Sequence, residues 1–365
     1  MIGAREFIAM LLIVGAVFGI GGLAVSAVEE PSTVAELRVA YAGPPETWPR
    51  PWLKEGAEFT EFGKLPDAPS PDYNPTTPQK VALGQALFND AMLSGSGQIA
   101  CASCHESDLA FADGLKTSFG HNRLRGVRNS PSLLTAAWWK ELFWDGRSPN
   151  LEDQALHPFV DPVEMATSHE RIVEAVRGDG VYARMFEDAF GDSEISITRI
   201  SYALAAFQRT LKPRTSRFDR FIDGRTRLTD QELQGLHLFR TKAGCANCHN
   251  GPLLSDQKYH NLGLSYYGRP LEDLGRYEAT GDPADIGKFR TASLRNVRRT
   301  APYMHNGIMP ELRGVVTFYN GGGGRVRPRE DQKDDPHFPV TDPLLAPLDL
   351  TADEREALVA FLEAL

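Results

Sequence analysis

Two short cysteine motifs carry the clearest chemistry in this 365-residue chain. The string Cys-Xaa-Xaa-Cys-His occurs at residues 101–105 and again at residues 245–249, and the two copies contain all four cysteines. Two thiols at this spacing can each bond to one vinyl group of a haem, and the adjacent imidazole can ligate the iron. The motifs therefore predict two covalent c-type haems. The attachment residues are Cys101, Cys104, Cys245 and Cys248, and the iron ligands are His105 and His249.

Other uses of four cysteines are a single four-thiolate zinc site or two redox dithiols. Neither explains why a histidine follows the second cysteine in both copies. The formal net charge of −9 also argues against a nucleic-acid-binding protein, which normally carries a basic excess. A redox protein that binds haem is the interpretation that accounts for both observations.

The first 27 residues indicate export from the cytoplasm. One basic residue in the first five precedes an almost wholly apolar run at residues 7–25, and small residues follow where a signal peptidase could cut. The apolar run is long enough to span a bilayer, so an uncleaved membrane anchor is an alternative. Either way we expect a periplasmic protein whose only membrane contact is this segment.

The rest of the chain predicts a mainly α fold with two haem-binding halves. Residues 28–76 are rich in proline and are predicted to form an extended segment, residues 77–227 a first haem domain, and residues 228–365 a second. Helix starts are indicated at Thr77, Thr229 and Thr351, where capping residues precede apolar positions at helical spacing. A linker is expected at residues 213–227.

Longer stretches resemble the bacterial di-haem cytochrome c peroxidase and MauG superfamily, from about residue 81 to residue 323. The stretches are LGQALFNDAMLSGSGQIACASCH, FWDGRSPNLEDQA, PVEM, CHNGP, LGRYEATGDPADIGKFRTASLRNVRRTAPYMHNG and VVTFYNGGG. The resemblance implies two cytochrome-c-like domains that face each other. It also implies a peroxidatic haem in the first domain, an electron-transfer haem in the second, and a calcium ion between them.

The same resemblance assigns residues to the peroxidatic haem. Glu164, in PVEM, matches a distal acid that takes a proton from hydrogen peroxide and returns it to the leaving oxygen. Gln154 and Pro158 match neighbouring distal positions, the first as a hydrogen-bond partner and the second as a restriction on access. Trp144, in FWDGR, matches a tryptophan between the two haems.

The resemblance also implies a calcium site made of oxygen ligands. Asn129 would contribute its side-chain oxygen, and Thr300 and Pro302 their backbone carbonyls. All three are hard donors of the kind that Ca²⁺ prefers.

The sixth ligand of the second haem distinguishes two branches of the superfamily. Spacing alone favours Met309 or Met304, whereas alignment on the family pattern favours Tyr319, the ligand type of MauG-like enzymes. A phenolate would stabilise oxidised iron and lower its potential. His121 points toward the peroxidase branch, because it lies where those enzymes carry a displaceable ligand of the first haem. It is therefore a possible second iron ligand there.

Two enzymatic functions follow from these alternatives. In the first, hydrogen peroxide drives the protein to a high-valent two-haem state that oxidises tryptophan or tyrosine residues of a partner protein, as in MauG- and MbnH-type enzymes. In the second, a cytochrome c peroxidase reduces peroxide with electrons from a small cytochrome or cupredoxin. A di-haem electron carrier is a third interpretation, but it gives Glu164 no role.

The flank of the second motif is basic in an otherwise acidic chain. Residues 286–329 contain nine lysines or arginines and one acid, Glu311. Some of these arginines are expected to pair with haem propionates, and a docking face for an acidic partner is the alternative.

Overall fold

The computed structural model of the protein describes residues 31–365. The predicted signal peptide or anchor, residues 1–27, lies outside the described residues. Within residues 31–365, no helix combines the length and the apolar character needed to cross a membrane.

The described chain is mainly α-helical, as predicted. Its one named sheet, in residues 31–365, pairs β1 (Tyr259–Asn261) and β2 (Lys288–Arg290) antiparallel, with Tyr259 opposite Arg290. The helices are α1 (Val34–Ala40), α2 (Pro78–Phe88), α3 (Leu151–Gln154), α4 (His157–Val160), α5 (His169–Gly178), α6 (Gly180–Phe190), α7 (Ile197–Gln208), α8 (Arg217–Ile222), α9 (Asp230–Arg240), α10 (Tyr277–Thr280), α11 (Leu312–Asn320) and α12 (Ala352–Ala364).

Three of these helices begin where capping residues predict. The Thr77 side chain accepts a hydrogen bond from the Lys80 N–H at the start of α2. Capping boxes begin α9 at Thr229 and α12 at Thr351. These contacts are local, because a capping residue satisfies backbone donors within the first turn of its own helix.

Each haem motif is attached to its own hydrophobic core. The first core is built from residues 81–211, and the second from residues 37–62 together with residues 218–365. In each core the helix before the motif crosses the last helix of that half at a glycine. A Cβ atom on Gly84 of α2 would lie 1.9 Å from the Ala203 carbonyl of α7, and one on Gly235 of α9 would lie 2.0 Å from the Ala357 carbonyl of α12. Both crossings therefore depend on the absence of a side chain.

The N-terminal segment differs from its predicted extended form. Residues 34–40 form α1, because Thr33 and Glu36 make a capping box and Leu37 is buried in the second core. Farther on, Trp48 and Phe62 join the same core. A proline-rich sequence with no sustained periodicity gave no sign of a helix only two turns long.

A second difference concerns the predicted linker at residues 213–227. This stretch contains α8, which begins at a capping box between Ser216 and Asp219 and buries Phe218 completely. The segment is therefore part of the second core. The predicted domain boundaries themselves remain predictions.

A buried ionic cluster stabilises the first core. Glu152 on α3 accepts hydrogen bonds from Arg209 and from the Asn74 side chain, each at 2.7 Å. The side chains of Glu152 and Arg209 are 7% and 6% exposed. Removing one member of such a pair leaves a buried charge without a partner.

We expect Glu152→Ala to lower the free energy of unfolding by about 3–5 kcal/mol. The matched control is Glu356→Ala, which breaks an exposed ion pair with Arg313. It should cost about 1 kcal/mol or less, because exposed pairs contribute little. Urea unfolding of the two haem-loaded variants, followed by circular dichroism, measures the difference. Equal losses in the two variants would contradict the buried-pair argument.

Candidate haem sites

The first motif forms a short turn that ends next to its histidine. Cys101–Ser103 is a 3₁₀ turn, Cys104 caps it, and His105 comes next. The Nδ1–H group of His105 donates to the Phe111 carbonyl oxygen at 2.9 Å. This hydrogen bond sets the tautomer and leaves Nε2 with its lone pair, which is the arrangement that a histidine ligand of iron needs.

The predicted distal residues gather around this motif. Glu164, Gln154 and Pro158 line the same cavity as Cys101, Cys104 and His105. Gln154 ends α3 and Pro158 lies in α4, so two consecutive short helices carry them to the cavity. The folded chain thus brings together residues that are up to 63 positions apart.

Glu164 has the electrostatic character of a proton-transfer group. The residue is exposed by its accessible area, and it lines the first cavity. Burial there, followed by the negative charge of Asp161, raises its pKa to about 7, against the opposing effect of Arg147. A carboxyl group with this pKa can both accept and donate a proton near neutral pH.

His121 does not line this cavity in the described chain. Its backbone N–H donates to the carbonyl oxygens of Val163 and Glu164 at 2.9 and 2.8 Å. Gly120 packs so closely that a Cβ atom would lie 2.0 Å from the Val163 carbonyl. The loop that carries His121 is therefore fastened to the segment that carries Glu164. The Nδ1 atom of His121 is buried and has no hydrogen-bond partner among residues 31–365.

The second motif repeats the local geometry of the first. Cys245–Asn247 is again a 3₁₀ turn. The Nδ1–H group of His249 donates to the Leu254 carbonyl oxygen at 3.2 Å, which leaves Nε2 as the free lone pair. Cys245, Cys248 and His249 line a cavity of about 400 Å³.

Tyr319, at the end of α11, lines the second cavity together with Cys248 and His249. Burial, followed by the nearby Cys248 and Cys245 sulfurs, raises the pKa of Tyr319 well above its ordinary value. Without a cation beside it the hydroxyl is therefore protonated. A metal ion at this position would supply the positive charge needed to hold the phenolate form.

The two rival methionines differ in position. Met304 lines the second cavity, as Tyr319 does, whereas Met309 is not among the lining residues of the described chain. The backbone of Met309 instead pairs with that of Tyr303 in a short antiparallel bridge. Geometry therefore disfavours Met309, the residue that spacing alone suggested.

The donor groups around both motifs fit a haem. The thiols of Cys101 and Cys104 lie in one cavity and those of Cys245 and Cys248 in another, so the four-thiolate zinc interpretation is wrong. Burial raises the pKa of Cys101 and of Cys245 to about 12, unlike the thiols of redox dithiols.

A buried arginine in the second cavity fits a haem propionate. The guanidinium of Arg290 stacks on Trp139 at 3.5 Å, and its Nη1 atom is buried without a hydrogen-bond partner in residues 31–365. A guanidinium without a counterion in a cavity of this kind suits a carboxylate ligand. This residue belongs to the basic flank that the sequence singled out.

Trp144 is held by both halves of the chain. Its indole N–H donates to the Asn129 carbonyl oxygen at 2.9 Å, and its own carbonyl accepts the Arg290 N–H at 2.8 Å. The ring lies on the wall of the second cavity, 6.5 Å from the ring of His305, which stacks on Phe289 at 3.5 Å. Trp144 is thus fixed where residues from the two halves meet.

Asn129, Thr300 and Pro302, the residues predicted for calcium, all line the second cavity. The Asn129 amide nitrogen donates to the Leu115 carbonyl at 2.9 Å, so its side-chain oxygen is the atom available to a cation. The oxygen donors therefore fit Ca²⁺. The calcium ion itself remains a prediction.

An ion-pair network between the two halves of the chain gave no signal in the sequence. Arg128 crosses between the halves and binds Asp145, Asp273 at 2.7 and 2.8 Å, and Glu278 at 2.9 Å. Asp273 and Glu278 lie 145 and 150 positions from Arg128 in the chain, so no local pattern links them to it.

His260 lies beside Cys248 and Asp256 in a group of metal-ligand type. Both of its ring nitrogens face carboxylates, Asp256 at 2.8 Å and Asp342 at 2.7 Å. Burial disfavours the charged ring, but these carboxylates outweigh that effect and raise the pKa of His260. The group is thus an ion-paired wall of the second haem cavity, because both ring nitrogens are already engaged.

Two separate cavities, each with two thiols and a histidine whose Nε2 is free, define a c-type cytochrome with two haems. Comparison with known proteins agrees. The family model described as di-haem cytochrome c peroxidase matches residues 78–227. The cytochrome-c peroxidase IdrP1 of Pseudomonas sp. (strain SCT) is 37% identical over 82% of this chain and 84% of its own.

Two further similar proteins are named MauG or MauG-like. The methylamine utilization protein MauG of Methylorubrum extorquens is 38% identical over 83% of each chain. A crystal structure of a MauG-like protein associated with microbial copper homeostasis superposes with a TM-score of 0.73 at 35% identity, covering 86% of this chain and 95% of that one. The chain therefore belongs to the di-haem cytochrome c peroxidase family, and it is a haem-dependent peroxidase.

Proposed function

We propose that this protein uses hydrogen peroxide to oxidise aromatic residues, tryptophan or tyrosine, of a periplasmic partner protein. The observation that carries the proposal is Tyr319, which lines the second cavity with Cys248 and His249. When bound, the first haem supplies the cleavage of peroxide and the second stores an oxidising equivalent. The predicted signal segment at residues 1–27 supports the periplasmic location.

Glu164 serves as the proton acceptor and donor in this proposal. With a pKa of about 7, its carboxylate takes a proton from the oxygen of peroxide nearer the iron and returns it to the departing oxygen. Gln154 orients the oxygen by hydrogen bonding, and Pro158 limits the space for competing ligands. All three line one cavity with His105, which supports a shared role.

Tyr319, if it held the iron as a phenolate, would be a hard, anionic donor that favours the oxidised state of the second site. Trp144, fixed by Asn129 and Arg290, shortens the path for electrons between the two sites. Calcium, held by Asn129, Thr300 and Pro302, would stiffen the segment whose carbonyl orients Trp144.

A cytochrome c peroxidase that removes hydrogen peroxide is the alternative. His121 supports it, because the Gly120–His121 loop is fastened to Glu164 and could carry a displaceable ligand. The relative named cytochrome-c peroxidase IdrP1 supports it too. In that case electrons would come from a small cytochrome or cupredoxin.

The two functions are separated by the reaction of the fully oxidised protein. We expect the diferric protein to react stoichiometrically with hydrogen peroxide and to form a long-lived oxidised species without prior reduction. Stopped-flow absorbance measures the reaction, and electron paramagnetic resonance of the resting protein should give one high-spin and one low-spin ferric signal.

The partner supplies the second readout of this experiment. The oxidised species should decay faster when the cognate partner is added, and mass spectrometry should then find an oxidised tryptophan or tyrosine in it. A slow diferric reaction, with fast turnover after one-electron reduction, would establish the peroxidase alternative.

A further inference from the structure

The basic side chains of the flank at residues 286–329 lie in different environments in the folded chain. Arg290 and Arg295 are buried, and Arg313 forms a surface ion pair. Arg298 is exposed and Arg299 is half-buried, with its guanidinium donating to the Asp108 carbonyl oxygen at 3.0 Å; neither forms an ion pair within residues 31–365. The surface arginines are therefore not used by the haem sites described above.

Arg298 and Arg299 adjoin further arginines that come from α8 and the turn before it. Two neighbouring surface hollows of about 400 and 350 Å³ share Arg217, Arg298, Glu363 and Ala364 as walls. We call the set of arginines that lines them the arginine patch. It consists of Arg214, Arg217, Arg220, Arg298 and Arg299.

The arginine patch is a locally positive area on the surface of an acidic protein. Two acidic side chains line the same hollows, Glu232 and Glu363. Glu232 lies 3.4 Å from Arg217, so part of its charge is already balanced. The arginines outnumber these acids on a chain whose formal net charge is −9. A local positive field of this kind attracts acidic molecules.

The arginine patch lies on the outer side of the second cavity wall. Val297 immediately precedes Arg298 in the same 3₁₀ turn, and Val297 lines the second cavity. Leu362 of α12 also lines that cavity, while its neighbour Glu363 lines the hollows. One layer of residues therefore separates a molecule bound on the patch from the second haem site.

We propose that the arginine patch is the docking surface for an acidic redox protein, which gives electrons to the second haem. The inference rests on the cytochrome c peroxidase alternative of the proposed function, in which a small redox protein supplies the electrons. Each docked partner gives up one electron. Two such transfers, with two protons from solvent, reduce one hydrogen peroxide to two waters. Proximity to the second cavity favours a redox protein over an anionic membrane or a nucleic acid.

The test uses the haem-loaded protein and the acidic cupredoxin plastocyanin as a probe. Arg214 and Arg298 are exposed and make no side-chain ion pair or hydrogen bond in the described chain, so Arg214→Glu/Arg298→Glu should fold normally. The matched control is Arg171→Glu/Arg184→Glu, with the same change in net charge on exposed positions of α5 and α6. Surface plasmon resonance at an ionic strength of about 0.1 M, where charges are screened beyond about 10 Å, gives the dissociation constants.

We expect the patch variant to bind plastocyanin at least tenfold more weakly and to lose most of the salt dependence of binding. The control should bind within about twofold of the unmodified protein, because charge acts mainly through local contacts. A basic mitochondrial-type cytochrome c should bind the patch variant no more weakly than the unmodified protein. Equal loss in both variants would overturn the proposal.

Two more measurements keep this result separate from the proposed function. The reaction of the diferric protein with hydrogen peroxide should be unchanged in the patch variant, since the patch lies outside both cavities. Sedimentation with phosphatidylglycerol vesicles should show no binding that the patch variant loses. Patch-dependent vesicle binding with unchanged plastocyanin affinity would identify a membrane surface and contradict the proposal.

Discussion

Replacement of Glu164 by glutamine is expected to slow the reaction of the diferric protein with hydrogen peroxide by a factor of about 10² to 10⁴. Glutamine keeps the size of the side chain but can neither accept nor return a proton. Haem content should stay at two per chain, because Glu164 lines the cavity without belonging to the attachment motif. Stopped-flow absorbance gives the rate, and the pyridine haemochrome assay gives the haem content.

The pH dependence sharpens this prediction. The basic form of Glu164 is the active one, so the rate should rise as the pH increases through about 7, the pKa that burial and Asp161 produce. In Glu164→Gln this rise should vanish. Glu174→Gln, an exposed acid on α5, is the matched control and should keep both the rate and the pH profile. A Glu164→Gln variant with an unchanged rate would remove Glu164 from the mechanism.

Replacement of Tyr319 by phenylalanine is expected to abolish the long-lived oxidised species while both haems stay attached. The phenyl ring fills the same space in the second cavity but offers no oxygen to the iron. Loss of a hard anionic donor should also raise the reduction potential of the second haem. Absorbance after peroxide addition and a redox titration measure the two effects.

Methionine variants serve as the controls for Tyr319→Phe. Met309→Leu should leave the spectra unchanged, because Met309 is not among the residues that line the second cavity. Met304→Leu tests the methionine that does line it, and it too should preserve the oxidised species. A normal oxidised species in Tyr319→Phe, together with its loss in Met304→Leu, would indicate that histidine and methionine are the ligands of the second haem.

Local chemistry explains which features were predictable from the sequence. The haem motifs, the capping box at Thr229 and the one at Thr351 all act within a few residues, so their spacing alone identified them. The mainly α, two-haem architecture was predicted correctly. The distal residues came from family resemblance, because nothing local distinguishes Glu164 from a solvated surface acid.

Features that depend on distant contacts were not predictable. The helix at Val34–Ala40 buries Leu37, and its Arg38 donates to the Leu228 carbonyl oxygen, 190 residues away in the chain. Arg128 meets acids from both halves, and Arg290 reaches Phe143 through a hydrogen bond across 147 positions. A single sequence does not reveal such pairs, since propensity and periodicity describe only residues that are close together in the chain.

The composition of the two hydrophobic cores bears on the order in which the chain folds. The first core uses a continuous stretch, residues 81–211, so it can form before the rest of the chain is available. The second core needs Leu37 and Phe62 from one end and Phe361 from the other. Closing so long a loop is slow, and it cannot begin before the last helix emerges. The half that carries the first haem motif is therefore expected to mature first, and the half that carries the second motif completes the molecule.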